Sequence, residues 1–388
     1  MKLSGITWDH PRGFAPLAAG TKALAAATGV DVDWEARSLK DFGDAPIETL
    51  ARDYDLLIID YPHVGVAAET GCVAPLDALL PEAAIGDRHR DYVGPSFGSF
   101  RYRGHQWALP VDAACQVSAR RSDLLGGRDL PATWEEAFDL ARELRKQGLS
   151  AAMALCPTDA MCAFLTLAAQ AGDPPAEGRP ELVARETGLR ALECLRRLAE
   201  ACHPESLGWN PIQLFDRMAA SDEIAYAPLA FGYITYARPG PGAKPLAFGG
   251  IPGGAGSLLG GAGIAVSAAA RDPAAAARAA AWLAGGAHQS GACLASGGQP
   301  AHRAAWDAPP QTPGIADFLR DTRPTIENAY VRPRDPRWPA FQEWLGERIA
   351  AFLAGSGTAT TAMAAIDERY AWHFSDPNQP TSDQGIQP

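Results

Sequence analysis

The sequence lacks the basic charge that a nucleic-acid-binding protein needs. Its 34 Lys and Arg residues are outnumbered by 45 Asp and Glu residues, so the formal net charge is −11. A protein that follows a phosphate backbone displaces counterions with a basic face. The nearest approach to such a cluster is the short group Arg101-Tyr102-Arg103. We therefore expect no nucleic-acid partner.

Long hydrophobic runs and an export signal are also missing. No apolar segment approaches the roughly 18 residues that a membrane-spanning helix needs. The first residues contain neither an apolar signal core nor a small-residue cleavage site. Two localisations stay open: a mature exported protein, or a cytoplasmic protein if Met1 is the native start.

The common sequence signatures of enzymes are absent. The chain contains no GxxxxGK[ST] phosphate loop, no GxSxG nucleophile elbow and no HExxH zinc motif. Its glycine run at residues 260–263 precedes a predicted strand, whereas a dinucleotide-binding fingerprint follows one. These absences disfavour the enzyme classes that can be recognised from a short sequence motif. We expect no cofactor.

Seven cysteines are present, an odd number that rules out complete pairing within the chain. None forms a CxxC pair or lies beside paired histidines, so a structural zinc site is not expected. We predict no structural disulfide and no bound metal. Cys156 and Cys162 are the best candidates if a disulfide does form.

The features that are present predict an α/β fold. The chain has 388 residues, of which 47% are apolar, enough for a sizeable core and two or three domains. Residues 3–8, 30–34 and 54–60 have strand patterns, and residues 15–28 and 46–51 have helical patterns. The last of these strands contains a continuous apolar run at residues 56–59, bounded by acids, which is typical of a buried parallel strand. The opening of the chain therefore predicts a βαβαβ unit.

Further elements follow along the chain. Thr133 and Glu136 form a capping box that opens a helix. Strands are predicted at 224–227 and 263–267, with a Gly- and Pro-rich loop over 238–263. Helices are predicted at 181–201, after Asn210-Pro211, after Asp272-Pro273, and at 313–321, 338–354 and 358–372.

Several segments, in order, resemble the extracellular solute-binding proteins of bacterial ABC transporters, and specifically the maltose-binding-protein-like sugar-binding type. Residues 75–80 (PLDALL), 107–112 (WALPVD) and 259–267 (LGGAGIAVS) are similar to recurrent stretches of that family. The most specific match is PATWEE at residues 131–136, which is similar to the family's P-x-TWEE. The resemblance extends from about residue 3 to 372.

The resemblance implies a two-lobe periplasmic-binding-protein fold, type II-like, with a ligand cleft between the lobes. The expected lobe I holds residues 1–111 and 250–305, and lobe II holds residues 113–249 and 306–375. Residues 376–388 are expected to form a flexible tail. The resemblance also implies a monomer that captures a small polar ligand, a carbohydrate or polyol, and delivers it to an ABC permease from the periplasm.

The candidate ligand residues follow predicted strands. Parallel strands place their carboxyl ends at the same edge of a sheet. Open α/β sheets bind their ligands at that edge. Aromatic rings pack on the C–H faces of sugars, and carboxylates accept hydrogen bonds from paired hydroxyls. The candidates after the first and third strands are Trp8, Asp9, His10, Asp60, Tyr61 and His63.

The remaining candidates lie at the first crossover and in lobe II. Trp107 and Asp112 flank the crossover, and Trp209, Phe231 and Tyr233 lie on or beside lobe II loops. Arg12 is the one early Arg expected near the first strand's end. It could pair with a ligand carboxylate or form part of a solvated face. The excess of acids and aromatics weakly favours a neutral or cationic solute over an anion.

Two other functions compete with solute binding. The same two-lobe frame could carry a cytoplasmic metal-dependent enzyme, with Asp9, His10, Asp60 and His63 as metal ligands. It could instead carry a cytoplasmic ligand sensor. For each candidate residue a structural role also stays open: helix capping for the acids and histidines, and core packing for the aromatic residues.

Overall fold

The computed structural model describes residues 1–38, 46–86, 88–238, 240–254 and 256–375. The predicted tail 376–388 lies outside them. The chain divides into two compact units. The first holds Met1–Ala114 and Leu259–Arg320, and the second holds Cys115–Leu258 and the residues from Asp321 on. The chain thus passes between the units three times. Two passages fall inside continuous elements, the strand Leu109–Arg120 and the helix Ile315–Glu327.

The predicted βαβαβ opening is confirmed in the first unit. Strand β1 (Lys2–Trp8) pairs in parallel with both β2 (Asp31–Arg37) and β3 (Leu56–Ile59). The helix Pro11–Thr28 connects β1 to β2 and ends at Gly29, whose φ of 73° suits a residue without a Cβ. All four residues of β3 are buried, as its apolar sequence predicts.

The prediction that residues 263–267 join the sheet of residues 55–60 is also confirmed. Strand β11 (Leu259–Ser267) lies antiparallel to β3, with Gly263 opposite Ile59. The sheet of this unit therefore has the order β2-β1-β3-β11, and the short β4 (Val73–Ala74) pairs with the end of β11. The other elements of the unit are a small hairpin of β5 (Arg101–Tyr102) and β6 (His105–Gln106), and the helices Ile47–Asp53, Val64–Thr70, Glu82–Ile85, Ser96–Ser99, Pro273–Leu283, Gly286–His288 and Ala304–Asp307.

The second unit has a sheet of its own covered by helices. Strand β7 (Leu109–Arg120) pairs antiparallel with β9 (Ile224–Phe231) and with β10 (Ala247–Gly249), and β8 (Ser150–Ala151) lies parallel to β9. Its core includes Phe164, Leu192 and Phe341, all fully buried. Its helices are Ser122–Leu125, Trp134–Lys146, Pro157–Gln170, Arg185–Ala201, Pro211–Ala220, Trp338–Leu353 and Ala359–Ser375.

Capping residues in the sequence correctly predicted where several helices begin. Thr133 accepts a hydrogen bond from the Glu136 backbone N–H, and the Glu136 carboxylate accepts one from the backbone of Thr133, which completes the predicted capping box. Asn210 forms a second box with Gln213. These contacts satisfy N–H groups that a helix leaves without partners in its first turn.

Three predictions about strands are wrong. Strand β9 continues through Phe231, so this residue belongs to the strand and does not follow it. Strand β2 continues to Arg37 because it pairs with β1 along its whole length. Strand β10 lies inside the segment predicted as a loop over 238–263. In each case pairing with a distant strand extends or creates an element that the local sequence does not mark.

Across the described ranges, no helix combines the length and apolar character that a bilayer crossing needs. All seven cysteines are free thiols. Burial raises the pKa of Cys156 and Cys202 to about 12, so these thiols stay protonated at neutral pH.

Candidate ligand-binding site

The carboxyl ends of β1 and β3 bring two carboxylates to one edge of the first unit's sheet. Asp9 follows β1 and is exposed, and Asp60 follows β3 and is half-buried. The backbone N–H of Asp9 donates to the carbonyl of Arg37 at 2.6 Å. The Oδ1 of Asp60 accepts from the N–H of Tyr61 at 2.9 Å, which orients that carboxylate. The predicted helix-capping role of Asp60 is therefore confirmed.

Trp8, the predicted stacking platform, is largely covered. Only 5% of the residue is exposed. Its ring packs on the first helix so closely that a Cβ at Gly13 would lie 2.4 Å from Trp8 Cδ2. The glycine is thus what allows the indole to lie against the helix, and a ligand could meet at most an edge of the ring in this conformation.

His10 acts as the N-cap of the helix Pro11–Thr28. Its Nδ1 accepts from the backbone N–H of Arg12 at 3.1 Å. Burial, together with the nearby Arg12 guanidinium, lowers the pKa of His10 to about 4. The imidazole is therefore neutral at physiological pH, and its capping nitrogen is occupied.

Arg12 and Asp112, predicted separately as ligand residues, bind each other. Arg12 Nε donates to Asp112 Oδ2 at 2.7 Å, and Arg12 Nη2 donates to Asp112 Oδ1 at 2.5 Å. Both side chains are 5% exposed, so the solvated-face alternative for Arg12 is wrong. Burial raises the pKa of Asp112, and the Arg12 guanidinium opposes that rise. Two parallel hydrogen bonds of this kind form the strongest arrangement between a guanidinium and a carboxylate.

A small cavity adjoins this ion pair inside the first unit. Its volume of about 20 Å³ is close to that of one water molecule. Trp8 and the ion pair line it on one side, and His288, Cys293 and Gln299 contribute to the rest of its wall. Burial lowers the pKa of His288 to about 4, which leaves its ring neutral.

The other first-unit candidates have structural partners. Tyr61 is fully buried, and its hydroxyl donates to the carbonyl of Leu259 at 3.0 Å. Trp107 is 7% exposed, and its Nε1 donates to the carbonyl of Tyr102 at 3.0 Å. His63 ends the turn Tyr61–His63 and is half-buried. The structure thus places Tyr61 and Trp107 in the core and leaves His63 close to the strand edge.

Sequence reasoning missed Arg37 at this edge. It is the last residue of β2 and lies opposite Trp8 in the sheet register. One of its guanidinium nitrogens is 3.5 Å from the carbonyl oxygen of Ile58. Arg12 is therefore not the one early Arg near the end of the first strand. The signal was hidden because the alternating pattern of β2 stops at Trp34, three residues before the strand does.

In the second unit, Trp209 is half-buried and stacks on His203 with ring centroids 5.1 Å apart. Its carbonyl accepts from the N–H of both Leu155 and Cys156, at 3.0 Å each. Phe231 is half-buried at the end of β9, whereas Tyr233 is 7% exposed and packs edge-on against Phe215. Trp209 and Phe231 are therefore partly exposed, and Tyr233 contributes mainly to the core.

Sequence reasoning also missed a buried carboxyl in the second unit, next to Cys156. Asp159 lies in the first turn of the helix Pro157–Gln170 and is 7% exposed. Burial raises its pKa to about 6, and the Cys156 thiol donates to it at 3.1 Å. The available signal was the Cys-Pro-Thr-Asp sequence at 156–159, which has Pro at the first helical position.

The metal-ligand set of the enzyme alternative is not assembled. Among the residues that the structure describes, no three His, Cys, Asp or Glu side chains are grouped so that they could hold a metal ion. The set proposed for it, Asp9, His10, Asp60 and His63, includes a histidine whose Nδ1 already caps a helix.

Solved structures with the same fold come from several bacteria. The GacH receptor of Streptomyces glaucescens GLA.O, solved unliganded and with acarbose, aligns with a TM-score of 0.78 at 18% identity, over 97% of this chain and 98% of that chain. The maltose-bound MalE3 of T. maritima aligns with a TM-score of 0.81 at 15% identity, over 96% and 99%. The ABC transporter solute-binding protein of Agrobacterium radiobacter K84, in complex with ribitol, gives 0.78 at 21% identity, over 96% and 99%.

These similarities confirm the predicted two-lobe α/β fold of sugar-binding proteins. A search among curated protein sequences gave no significant match. The sequence model of one family matches residues 21–317, which is 297 of the 388 residues. By that match the chain belongs to the bacterial extracellular solute-binding proteins.

Proposed function

We propose that this protein captures a neutral, hydroxyl-rich solute, a sugar or a polyol, and supplies it to an ABC permease. Capture takes place outside the cytoplasmic membrane, in the periplasm, by a monomer. The observation that carries the proposal is the placement of Asp9 and Asp60 at the carboxyl ends of neighbouring parallel strands, in a chain that belongs to a solute-binding family. Solved proteins of the same fold bind acarbose, maltose and ribitol.

The chemistry of this edge suits hydroxyl groups. An ionised carboxylate only accepts hydrogen bonds, and a sugar or polyol presents pairs of donors at neighbouring carbons. Asp60 is held by the N–H of Tyr61, so its orientation is fixed before a ligand arrives. Pre-orientation lowers the entropy lost on binding.

Partly exposed aromatic residues are proposed as sugar contacts within each unit. Sugars present C–H faces that pack against aromatic rings. In the second unit, Trp209 and Phe231 are proposed because both are only half-buried. Trp8 in the first unit and Tyr233 in the second are proposed as supporting residues that offer only an edge, since each is less than a tenth exposed.

Catalysis is not supported by the geometry or by the comparisons. The family consists of binding proteins. The imidazole that an enzyme would use at this edge, His10, accepts a backbone hydrogen bond through Nδ1, and its low pKa removes the proton that a general acid would donate.

A ligand screen by thermal unfolding tests the proposal. Sugars, polyols, amino acids, carboxylates and divalent metals are added one at a time to the purified full chain. A true ligand at 100 times its dissociation constant adds about 2.7 kcal/mol to stability. We expect the largest shifts from uncharged sugars or polyols. A screen in which only amino acids, carboxylates or metals stabilise the protein would contradict the proposal.

Matched variants locate the binding surface. Asp9→Asn and Asp60→Asn each remove one charge at the carboxyl edge, and we expect each to weaken binding at least tenfold. Asp31→Asn removes an exposed carboxylate at the opposite end of β2 in the same sheet, and should leave affinity unchanged. Equal effects of all three variants would show that net charge, and not the proposed edge, governs binding.

A further inference from the structure

Trp209 and His203 form a stacked pair of rings in the second unit. Their ring planes differ by 10°, and their centroids lie 5.1 Å apart. A nearly parallel stack of this kind covers one face of the indole with the imidazole. Trp209 is half-buried, so a solute that packs on the indole is expected on the ring face that His203 leaves uncovered.

The backbone of Trp209 is held from both sides. Its carbonyl accepts hydrogen bonds from the N–H groups of Leu155 and Cys156, at 3.0 Å each. The next residue, Asn210, caps the helix Pro211–Ala220 as part of a capping box. The indole can therefore change its orientation only through its own side-chain torsions, and a ring stacked on its face restricts those torsions.

His203 is itself fixed through both ring nitrogens. Its Nδ1 accepts from the backbone N–H of Glu205 at 3.3 Å. Because Nδ1 accepts, Nε2 is the donor, and it lies 3.0 Å from Oε1 of Glu223. Only 12% of the His203 side chain is exposed. An imidazole that is bonded at both nitrogens and buried on its edges keeps one orientation.

Arg217 holds the second oxygen of Glu223. Its Nε and Nη2 donate to Glu223 Oε2 at 3.1 and 2.6 Å. These hydrogen bonds keep the pKa of Glu223 below its usual range against desolvation, so the carboxylate is ionised at neutral pH. Arg217 and Glu223 are 47% and 37% exposed, and an ion pair this exposed contributes little to stability. Fixing the imidazole explains the arrangement better than stability does.

We propose that His203 is a positioning residue for Trp209, and that Glu223 holds the imidazole so that the indole is oriented before a ligand arrives. This inference rests on the proposed function, in which Trp209 packs against the C–H face of a sugar. A ring that is already immobile loses little entropy on binding. The stack itself does not depend on what the protein binds.

Labelling with 5-fluorotryptophan and fluorine NMR tests the positioning without any ligand. The full chain contains ten Trp residues, and Trp209→Phe identifies the signal of Trp209. His203→Gln keeps a donor for Glu223 but removes the ring, whereas His203→Phe keeps a ring. We expect the Trp209 signal to move and broaden in His203→Gln and in Glu223→Ala, and to stay sharp in His203→Phe. If Glu223→Ala fails to fold, His203→Gln decides the test.

The matched control is Asp77→Ala in the first unit. Asp77 also holds an imidazole beside an indole, because its Oδ2 lies 2.6 Å from His105 Nδ1 and His105 packs edge-on against Trp107. This variant should leave the Trp209 signal unchanged. A Trp209 signal that does not respond to His203→Gln, or that responds equally to Asp77→Ala, would overturn the inference.

Calorimetric titration tests the consequence for binding, with the uncharged sugar or polyol that gives the largest shift in the thermal screen. His203→Gln should weaken binding about two- to tenfold, because the ligand must then immobilise the indole itself. In a Trp209→Ala background the same change should have no further effect. A loss of equal size in both backgrounds would overturn the positioning role.

Two other results separate this inference from the proposed function. If the wild type binds a sugar and Trp209→Ala binds it equally well, the inference fails and the proposed function stands. If the Trp209 signal responds as expected but no sugar or polyol stabilises the wild type, the orientation of Trp209 by His203 stands and the proposed function fails.

Discussion

The contact between Gly13 and Trp8 gives a sharp prediction about how the first strand's end is built. An alanine at position 13 would place its Cβ 2.4 Å from Trp8 Cδ2 and 2.5 Å from Cε2. Contacts below 3.0 Å are essentially never seen for real Cβ atoms. The indole must therefore move away from the helix, and with it the residues that follow β1, including Asp9.

The expected free-energy change follows from two opposing effects. Overpacking of a tight contact typically costs about 1–3 kcal/mol. Replacing glycine by alanine inside a helix recovers about 1 kcal/mol through helix propensity. Gly13→Ala should therefore lower the free energy of unfolding by up to about 2 kcal/mol and weaken ligand binding, because Trp8 and Asp9 are displaced together.

Urea unfolding followed by circular dichroism measures the first effect, and calorimetric titration measures the second. Gly208→Ala is the control, since a Cβ there meets nothing within 4 Å. In a Trp8→Leu background the Gly13→Ala change should cost less, which isolates the contact with the ring. A Gly13→Ala protein about 1 kcal/mol more stable than the wild type, with unchanged affinity, would refute this reasoning.

Two further predictions concern stability. Thr133→Ala should lower the free energy of unfolding, measured with urea, by about 1 kcal/mol because it removes half of a capping box. Thr133→Ser keeps the hydroxyl and should retain most of that stability. Equal losses in both variants would count against the cap. His10 and His288 both have pKa values of about 4 in the folded protein, below the ordinary 6.5. The unfolded chain therefore binds protons first as pH falls, and stability should decline from about pH 6.5 to pH 4. Replacing His288 by Phe should flatten that decline, and an identical pH profile in the variant would contradict its part in it.

The strand edges could be predicted because their signals are local. The apolar run at 56–59, bounded by acids, indicates a buried parallel strand, and that placement alone brings Asp9 and Asp60 to one edge. The capping box at Thr133 and the glycine at the end of the first helix are equally local. Such features depend on residues only a few positions apart, so they can be predicted from a single sequence.

The partners of the candidate side chains could not be predicted. Arg12 and Asp112 are 100 positions apart, and nothing near either residue shows that they pair. Tyr61 follows the same strand as Asp60 and was an equal candidate by sequence, yet its hydroxyl donates to the carbonyl of Leu259, almost 200 positions later. Trp8 is covered because Gly13 lets it lie on the helix. Tertiary contacts decide which polar and aromatic residues at a strand end stay free for a ligand.

A crystal structure of the protein with its most stabilising solute tests the central claim most directly. The claim is that an uncharged, hydroxyl-rich ligand is held at the carboxyl edge of β1 and β3. The predicted result is a sugar or polyol with hydroxyl oxygens within hydrogen-bond distance, about 2.5–3.0 Å, of the Asp9 or Asp60 carboxylate. A ligand bound without contact to either carboxylate, or bound at the end of the sheet that carries Asp31, would contradict it.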